Sequence, residues 1–488
     1  MRRGVACTFV AIAAITVQTL GERRDRTGVH QVEHKQQKLD VAPAHNESLL
    51  KAQEVKAKKL EYVKEKMAIE HEVVAPFVAK ANTIPAADTE GKQKVAFIFL
   101  TMRDLAWPGL WQSFFEEAPA GDYSIYVHQA AVKDDSAREQ HPLPLSKFGA
   151  IAVPWVRTAW CALFGVEVAT LFEALRDPRN SQFVFISDST IPLKNFAYVH
   201  QELMEVAPTS SRVCLAEAAK YRRVIPEMIT QETTQGCFFR DFLREINPRA
   251  MKHHQWLTLA RRHAQAIVEN AAAALIIYEG VWAEAAPDVD MGEGCSDEAV
   301  PVIAILNSLD AAGRSSGNTW TDLTRLGVEQ DCLTYVRWRN CFKDSELDMT
   351  SMFKDLKTAW KNAAELTSMI GGGSIDFMKT NMKRELNGFP NAFTNITEAY
   401  LWTMVQQGFM FARKFEKGAT VEMTGEVEEK AAGGFGFPWQ KKKVLALPHK
   451  PLEEVLPGMW SKVNVEQARQ LSWSKLETAG KPSPLRKP

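Results

Sequence analysis

The chain has 488 residues, 45% hydrophobic and 24% charged, an ordinary globular composition that excludes a mostly disordered polymer. Lysine plus arginine and aspartate plus glutamate both total 59, so the formal net charge is zero and the chain-wide positive field that gathers nucleic acid is absent. No apolar run is long enough for several membrane spans, which excludes channels and polytopic transporters.

Met1-Arg2-Arg3 precedes a mainly apolar stretch from Val5 to Leu20, and Glu22-Arg23-Arg24 follows. Positive charge ahead of a short apolar core is the layout of a secretory signal or signal-anchor over residues 1–20. Thr8, Thr16 and Gln18 leave it short of the roughly 20 apolar residues of a comfortable span, while the small residues Ala11, Ala13 and Ala14 suit a cleavable signal. Cleaved and retained forms both stay open, and a buried N-terminal helix is the third reading. Residues 21–90 are polar and lysine-rich. Charges at helical spacing from Lys51 to Glu72, with few bulky apolar residues, predict a solvated helix that serves as a stalk or a charged linker.

From residue 91 the pattern changes. Lys94-Val-Ala-Phe-Ile-Phe-Leu100 reads as a buried strand, Leu110 to Phe115 as an amphipathic helix, and Tyr123-Ser-Ile-Tyr-Val-His128 as a second strand. Ala150 to Val153 reads as a third strand, Cys161 to Leu175 as a helix stopped by Asp177-Pro178, and Gln182 to Asp188 as a fully apolar strand ending in Ser-Asp-Ser. This alternation predicts an α/β fold with a mostly parallel central sheet flanked by helices. Ligands of such sheets sit beyond the carboxyl ends of the strands, which puts His128 and Asp188 near any pocket. The domain is expected to span 91–425, with 426–488 as a C-terminal extension whose tail, Gly480 to Pro488, has no core to join.

Seven cysteines include six outside the N-terminal apolar run; Cys332 and Cys341 are spaced for a local disulfide. No CxxC pair has zinc spacing, and His253, His254 and His263 do not form an i, i+4 pair. Gly371-Gly-Gly373 lacks the lysine of a phosphate loop and reads as a turn. Asn46-Glu-Ser48 and Asn395-Ile-Thr397 are glycosylation acceptors in form.

Several segments, in order, carry a resemblance. They are Val95 to Thr101, Trp111 to Phe115 with Tyr123 to His128, Trp160 with Val166-Glu167, and Phe183 to Phe196. His254-Gln-Trp256 with Arg262-His263-Ala264, Cys295-Ser-Asp-Glu298, Leu333 to Trp338, and Phe409 to Phe415 complete the series. Together they resemble the Core-2/I-branching β-1,6-N-acetylglucosaminyltransferase family, in its plant-type branch, over residues 94 to 416. The resemblance implies a GT-A-type nucleotide-sugar transferase fold and inverting transfer from a UDP-sugar, with GlcNAc favoured and xylose or glucuronic acid as related donors. The acceptor it implies is a glycan or glycoprotein hydroxyl, and the cofactor list is empty: no metal is required. It also implies a type II protein of the Golgi membrane, held by the N-terminal anchor with its catalytic domain in the lumen, or another station of the secretory pathway.

Residue by residue, the resemblance makes Glu298 the catalytic base that takes the acceptor proton. The plainer reading is that Asp297 and Glu298 stabilise a helix start through its dipole. Arg413 and Lys414 match the basic pair that neutralises the leaving diphosphate, where an Asp-x-Asp motif would otherwise hold a metal; the central strand here ends Ser187-Asp188-Ser189, with one carboxylate. The plainer reading of the basic pair is a solvated one between two phenylalanines. Asp288-Val-Asp290 is set aside as a loop feature. Glu167 falls near the nucleotide in relatives, or is a solvated helix carboxylate. Trp338 falls beside the sugar or in the core, Asp297 beside the acceptor, and Tyr221, Arg223 and Trp256 on the acceptor side. The sequence departs from the pattern at Ser296, where a proline is usual, at Ala299, and at Asn391, where some members carry a second arginine; Lys383 and Arg384 lie further back. These departures keep a second reading open, a catalytically degenerate protein that binds glycans or nucleotides without turnover. A third is a scaffold built on the charged stalk.

Overall fold

The computed structural model describes residues 43–206, 208–214, 253–285, 295–316, 319–336, 392–406, 408–428 and 442–463. The chain falls into two compact units, Met1–Ala52 and Gln53–Pro488, and the sheets described below belong to the second.

The strands, in chain order, are β1 (Lys94–Thr101), β2 (Tyr123–Gln129), β3 (Ile151–Ala152), β4 (Asn180–Ser187), β5 (Ile191–Pro192), β6 (Ser211–Val213) and β7 (Thr258–Ala260). They continue as β8 (Val328–Gln330), β9 (Thr334–Val336), β10 (Phe393–Thr397), β11 (Phe411–Arg413), β12 (Phe415–Glu428) and β13 (Lys442–Pro451). The helices are α1 (Pro43–Ala79), α2 (Pro108–Glu116), α3 (Asp135–Gln140), α4 (Phe164–Leu175) and α5 (Phe196–Gln201). They are followed by α6 (Arg261–Ala285), α7 (Val300–Ala311), α8 (Thr319–Leu326), α9 (Glu398–Gln406) and α10 (Leu452–Trp460).

Among the described residues the main sheet has seven strands in the order β3-β2-β1-β4-β7-β6-β8. β1 runs parallel to β2 and β4, β2 to β3, and β6 to β8; β7 runs antiparallel to β4 and β6. The sheet is therefore mostly parallel, as its alternating pattern predicts. Apolar residues fill β1 without a break because both faces are covered. Ala96, Ile98, Phe183 and Phe185 point into one core, lined by α1, α4, α6 and α7. Val95, Phe97, Phe99, Val184 and Ile186 point into the other, with Trp111, Phe114 and Phe115 of α2 and the β11–β12 region. A small second sheet, β5-β11-β9, stands at the end of this aromatic core, and β10-β12-β13 form a third.

Three expectations need correction. The charged N-terminal segment is helical, but its second half is no solvated stalk: Val63, Met67, Ile69, Val73 and Val74 are buried against the helical face of the sheet. Val63, Met67 and Val74 share one helical stripe, which the flanking lysines and glutamates outnumber in composition. The domain also continues past residue 425, since β13 pairs with β12 and α10 buries Leu452, Leu456, Met459 and Trp460 in the aromatic core. Finally, Cys332 bonds to Cys214, not to Cys341, and Cys161 bonds to Cys295. Cys341 lies outside the described residues, as do the apolar stretch 5–20 and the tail 480–488.

Candidate active site

The carboxyl ends of β1, β2 and β4 meet at Thr101, His128 and Asp188. His128 is buried, and its Nε2 accepts a hydrogen bond from the Val156 amide at 3.3 Å. Burial pushes its pKa down to about 4, so at neutral pH it is an uncharged strut that ties the loop after β3 to the sheet. Asp188 is half-buried. Its Oδ2 accepts from the Met102 amide at 3.3 Å and its carbonyl from the Ala106 amide at 2.9 Å, which fixes the loop after β1.

The turn after β4 then positions the basic pair. β5 pairs with β11 through Pro192 and Phe411, and the Phe415 amide donates to the Ser189 carbonyl at 2.9 Å. Arg413 and Lys414 are therefore held beside the strand end that carries Asp188. The guanidinium of Arg413 lies over the Trp256 ring, 4.2 Å from its centroid, in a cation–π contact. Its Nε is buried without a hydrogen-bond partner. Burial lowers its pKa to about 10, while Asp188, Glu298 and Asp297 pull the other way, so it stays charged at neutral pH. Lys414 is exposed at the same edge, and its carbonyl accepts from the Phe393 amide at 2.7 Å.

Opposite Arg413 is a short 3₁₀ turn, Ser296–Glu298, which leads into α7. Its position is set at both ends. Cys295 is bonded to Cys161, the Ser296 amide donates to the Cys161 carbonyl at 3.3 Å, and the Glu298 carbonyl accepts from the His253 amide at 2.7 Å. Asp297 is buried and Glu298 half-buried. Glu167 lies in the first turn of α4 and is 1% exposed, which rules out a solvated helix carboxylate. Burial raises its pKa well above the usual range, and the charges of Asp297, Glu70 and Glu298 push the same way. The Gln255 amide lies beside it and works in the opposite direction.

The sequence reasoning brings Glu298, Asp297, Glu167, Trp256, Arg413 and Lys414 to one end of the sheet, and the structure joins all six there. Trp338, Tyr221 and Arg223 lie outside the described residues, as do Asp288, Asp290, Lys383, Arg384 and Asn391. Two further groups belong to the acidic side and are missing from the sequence reading. Tyr278 of α6 is fully buried, its pKa raised by burial and then by Asp297, Glu298 and Glu70. Glu70 of α1 is buried too. Its signal was present: Val63, Met67, Glu70 and Val74 fall on one helical stripe, with the acid at an apolar position.

Among the described residues no group of three or more histidine, cysteine, aspartate or glutamate side chains is arranged to hold a metal ion. No described helix is long and apolar enough to cross a membrane.

Residues 95–281 match the model of the Core-2/I-Branching enzyme family, the family that the ordered motifs resemble. Among curated proteins, Glycosyltransferase BC10 of rice (Oryza sativa subsp. japonica) is 29% identical over 198 residues, 40% of this chain. The match spans 45% of that relative's length. Among solved structures, the mannosyltransferase PcManGT from Pyrobaculum calidifontis, in complex with GDP-Man and Mn2+, has 12% identity and a TM-score of 0.20, a likeness too slight to bear on the fold; it covers 55% of this chain and 91% of that one.

Proposed function

We propose that the chain is an inverting, GT-A-type glycosyltransferase that moves a sugar, GlcNAc in the first instance, from a UDP-sugar to a hydroxyl of a glycan or glycoprotein, without a metal. The observation that carries this reading is the meeting of Arg413 with Asp297 and Glu298 at the carboxyl end of a mostly parallel sheet. Glu298 accepts the proton of the acceptor hydroxyl as the oxygen attacks the anomeric carbon. The bond from that carbon to the UDP oxygen breaks, and UDP leaves with the electron pair on the opposite face. Arg413, fixed on Trp256, and exposed Lys414 supply positive charge for the diphosphate. Asp297 stands on the acceptor side, and Glu167 stands on the nucleotide side.

The metal-free part of the proposal rests on the donor set. Where two carboxylates would grip a divalent cation, the strand offers Asp188, with Oδ2 bonded to the Met102 amide and the Arg413 cation facing it. The two disulfides and the exposed Asn395 of the Asn-Ile-Thr acceptor fit a lumenal placement, with an N-terminal anchor or signal as the route there. Binding without turnover is the second reading, favoured by Ser296 and Ala299 at positions where the resemblance has other residues.

The test is UDP release from UDP-GlcNAc, UDP-xylose, UDP-glucuronic acid and UDP-glucose by the full chain, with and without EDTA. Release that resists EDTA and falls about 10²–10⁴-fold in Glu298→Gln is the expected result. Release abolished by EDTA overturns the metal-free assignment. Silence on every donor with UDP still bound moves binding without turnover to first place.

A further inference from the structure

Helix α4 begins without a cap of its own: Leu163 precedes it and offers no side-chain acceptor to its free amides. The acceptor comes from α1 instead. Glu70 receives the Phe164 amide on Oε1 at 3.0 Å and the Gly165 amide on Oε2 at 2.5 Å. Its negative charge sits where the helix dipole favours it. The same Oε1 accepts a hydrogen bond from the Ser296 hydroxyl, in the turn that ends at Glu298. One carboxylate, 1% exposed, thus joins three parts of the chain. Its pKa is raised to about 7: burial pushes it up, and the hydrogen bonds from Ser296, Gly165 and Phe164, with the charge of Lys66, offset only part of the rise. A buried acid of this kind is costly unless its oxygens are satisfied, and here three donors meet it.

We propose that Glu70 is a positioning residue for the transfer reaction: from α1 it holds Ser296, and through it Asp297 and Glu298, at a fixed distance from Arg413. This inference rests on the reading of Glu298 as the base. A three-residue 3₁₀ turn has poor internal hydrogen bonding and does not fix its own side chains. The disulfide at Cys295 and the His253 bond to the Glu298 carbonyl restrain the two ends of the turn. Glu70 restrains its first side chain, from an element that contributes no group to the chemistry. The N-terminal helix is then part of the catalytic unit.

Two variants of the full chain separate this role from simple stability. Ser296→Ala cuts the arm to the turn and leaves the α4 cap in place; Glu70→Gln puts an NH2 donor where one carboxylate oxygen accepts, so at least one of the three bonds that Glu70 receives is lost. In Ser296→Ala, kcat falls about tenfold while KM for the donor and the UDP dissociation constant stay within twofold, because misplacing a base by a fraction of an ångström slows transfer without weakening binding. Ser296→Thr, which keeps the hydroxyl, restores most of kcat. Amide hydrogen exchange over residues 295–300 speeds up in Ser296→Ala and in Glu70→Gln. A kcat within twofold of the parent in both variants overturns the positioning role, and so does a loss that appears equally in KM. If the parent protein turns over no UDP-sugar, the functional reading has failed on its own, and exchange decides the tether: unchanged exchange at 295–300 overturns it and faster exchange upholds it.

Discussion

The two faces of the central sheet are built from different material. One is covered by helices and filled with aliphatic residues: Val168 and Leu171 of α4, Ile267 and Leu275 of α6, and Val302, Ile303 and Leu306 of α7. The other is filled with rings. Trp111 makes edge contacts with Phe99 and Phe114 at 5.0 and 5.4 Å and stacks on Phe411 at 6.0 Å. The chemistry divides along the same line. Glu70, Glu167 and Tyr278 sit on helices of the aliphatic face, and Arg413 continues the strand that begins with Phe411 on the aromatic face. The aromatic face thus carries the fixed cation and the helical face the titratable acids, and the site is where they meet. Arg413 ends a strand rooted in the aromatic core, and its guanidinium lies on Trp256, a ring from the helical side. The helical face gathers acids whose protonation responds to one another.

The comparison can be broken from either side. Trp111→Ala removes a fully buried ring whose Nε1 donates to the Thr190 carbonyl at 3.0 Å. It should cost about 3–5 kcal/mol of stability, measured by denaturant unfolding. Because Thr190 follows Asp188 and Ser189, residual folded protein should also lose UDP affinity. Ile303→Ala on the aliphatic face, at about 2–5 kcal/mol, should leave UDP affinity unchanged. Equal losses of affinity in the two variants would dissolve the distinction.

Next in size, Arg413→Ala should lower turnover by about 10²–10³-fold with a small change in melting temperature, as expected for removing a charge that stabilises the leaving group. Arg413→Lys should recover only part of this, since an ammonium lacks the planar stack on Trp256. A fully active lysine variant would mean that charge alone matters there.

The smallest effect sharpens the acidic side. A Cβ added at Gly165 would lie 2.8 Å from Glu70 Oε2 and 2.8 Å from Val73 Cγ1, so Gly165→Ala should push α1 away from α4 and cost about 1–3 kcal/mol. Thermal unfolding reads this directly, and a neutral result would show that α1 gives way without loss.

Much of this was legible in the chain, and the reasons are physical. β1, β2 and β4 announce themselves because strands buried on both faces must be apolar throughout, and the breaks between them are polar. Strand ends alone pointed to His128 and Asp188; Glu298, Asp297, Glu167, Trp256, Arg413 and Lys414 came from the family resemblance that the ordered motifs carry. What was hidden depended on distance in sequence. The α1 stripe is three apolar residues, Val63, Met67 and Val74, scattered among lysines and glutamates, and composition over the window outweighed it. Glu70 reads as one more surface acid until Phe164, Gly165 and Ser296 are known to surround it, 94 to 226 residues away. The disulfides illustrate the same limit. Short spacing favoured Cys332–Cys341, whereas the bond to Cys214 closes a separation of 118 residues that no local rule reveals.

Those separations set a timetable for synthesis. A ribosome adding about 5–20 residues per second leaves roughly 10–45 s between the emergence of Glu70 and that of Ser296, 226 residues later. β1, α4 and β4 are made early in that interval and give the apolar stripe of α1 its partners, but the acid waits to the end of it for the turn at Ser296. The grip of the N-terminal helix on the site is thus completed only when the second half of the domain arrives.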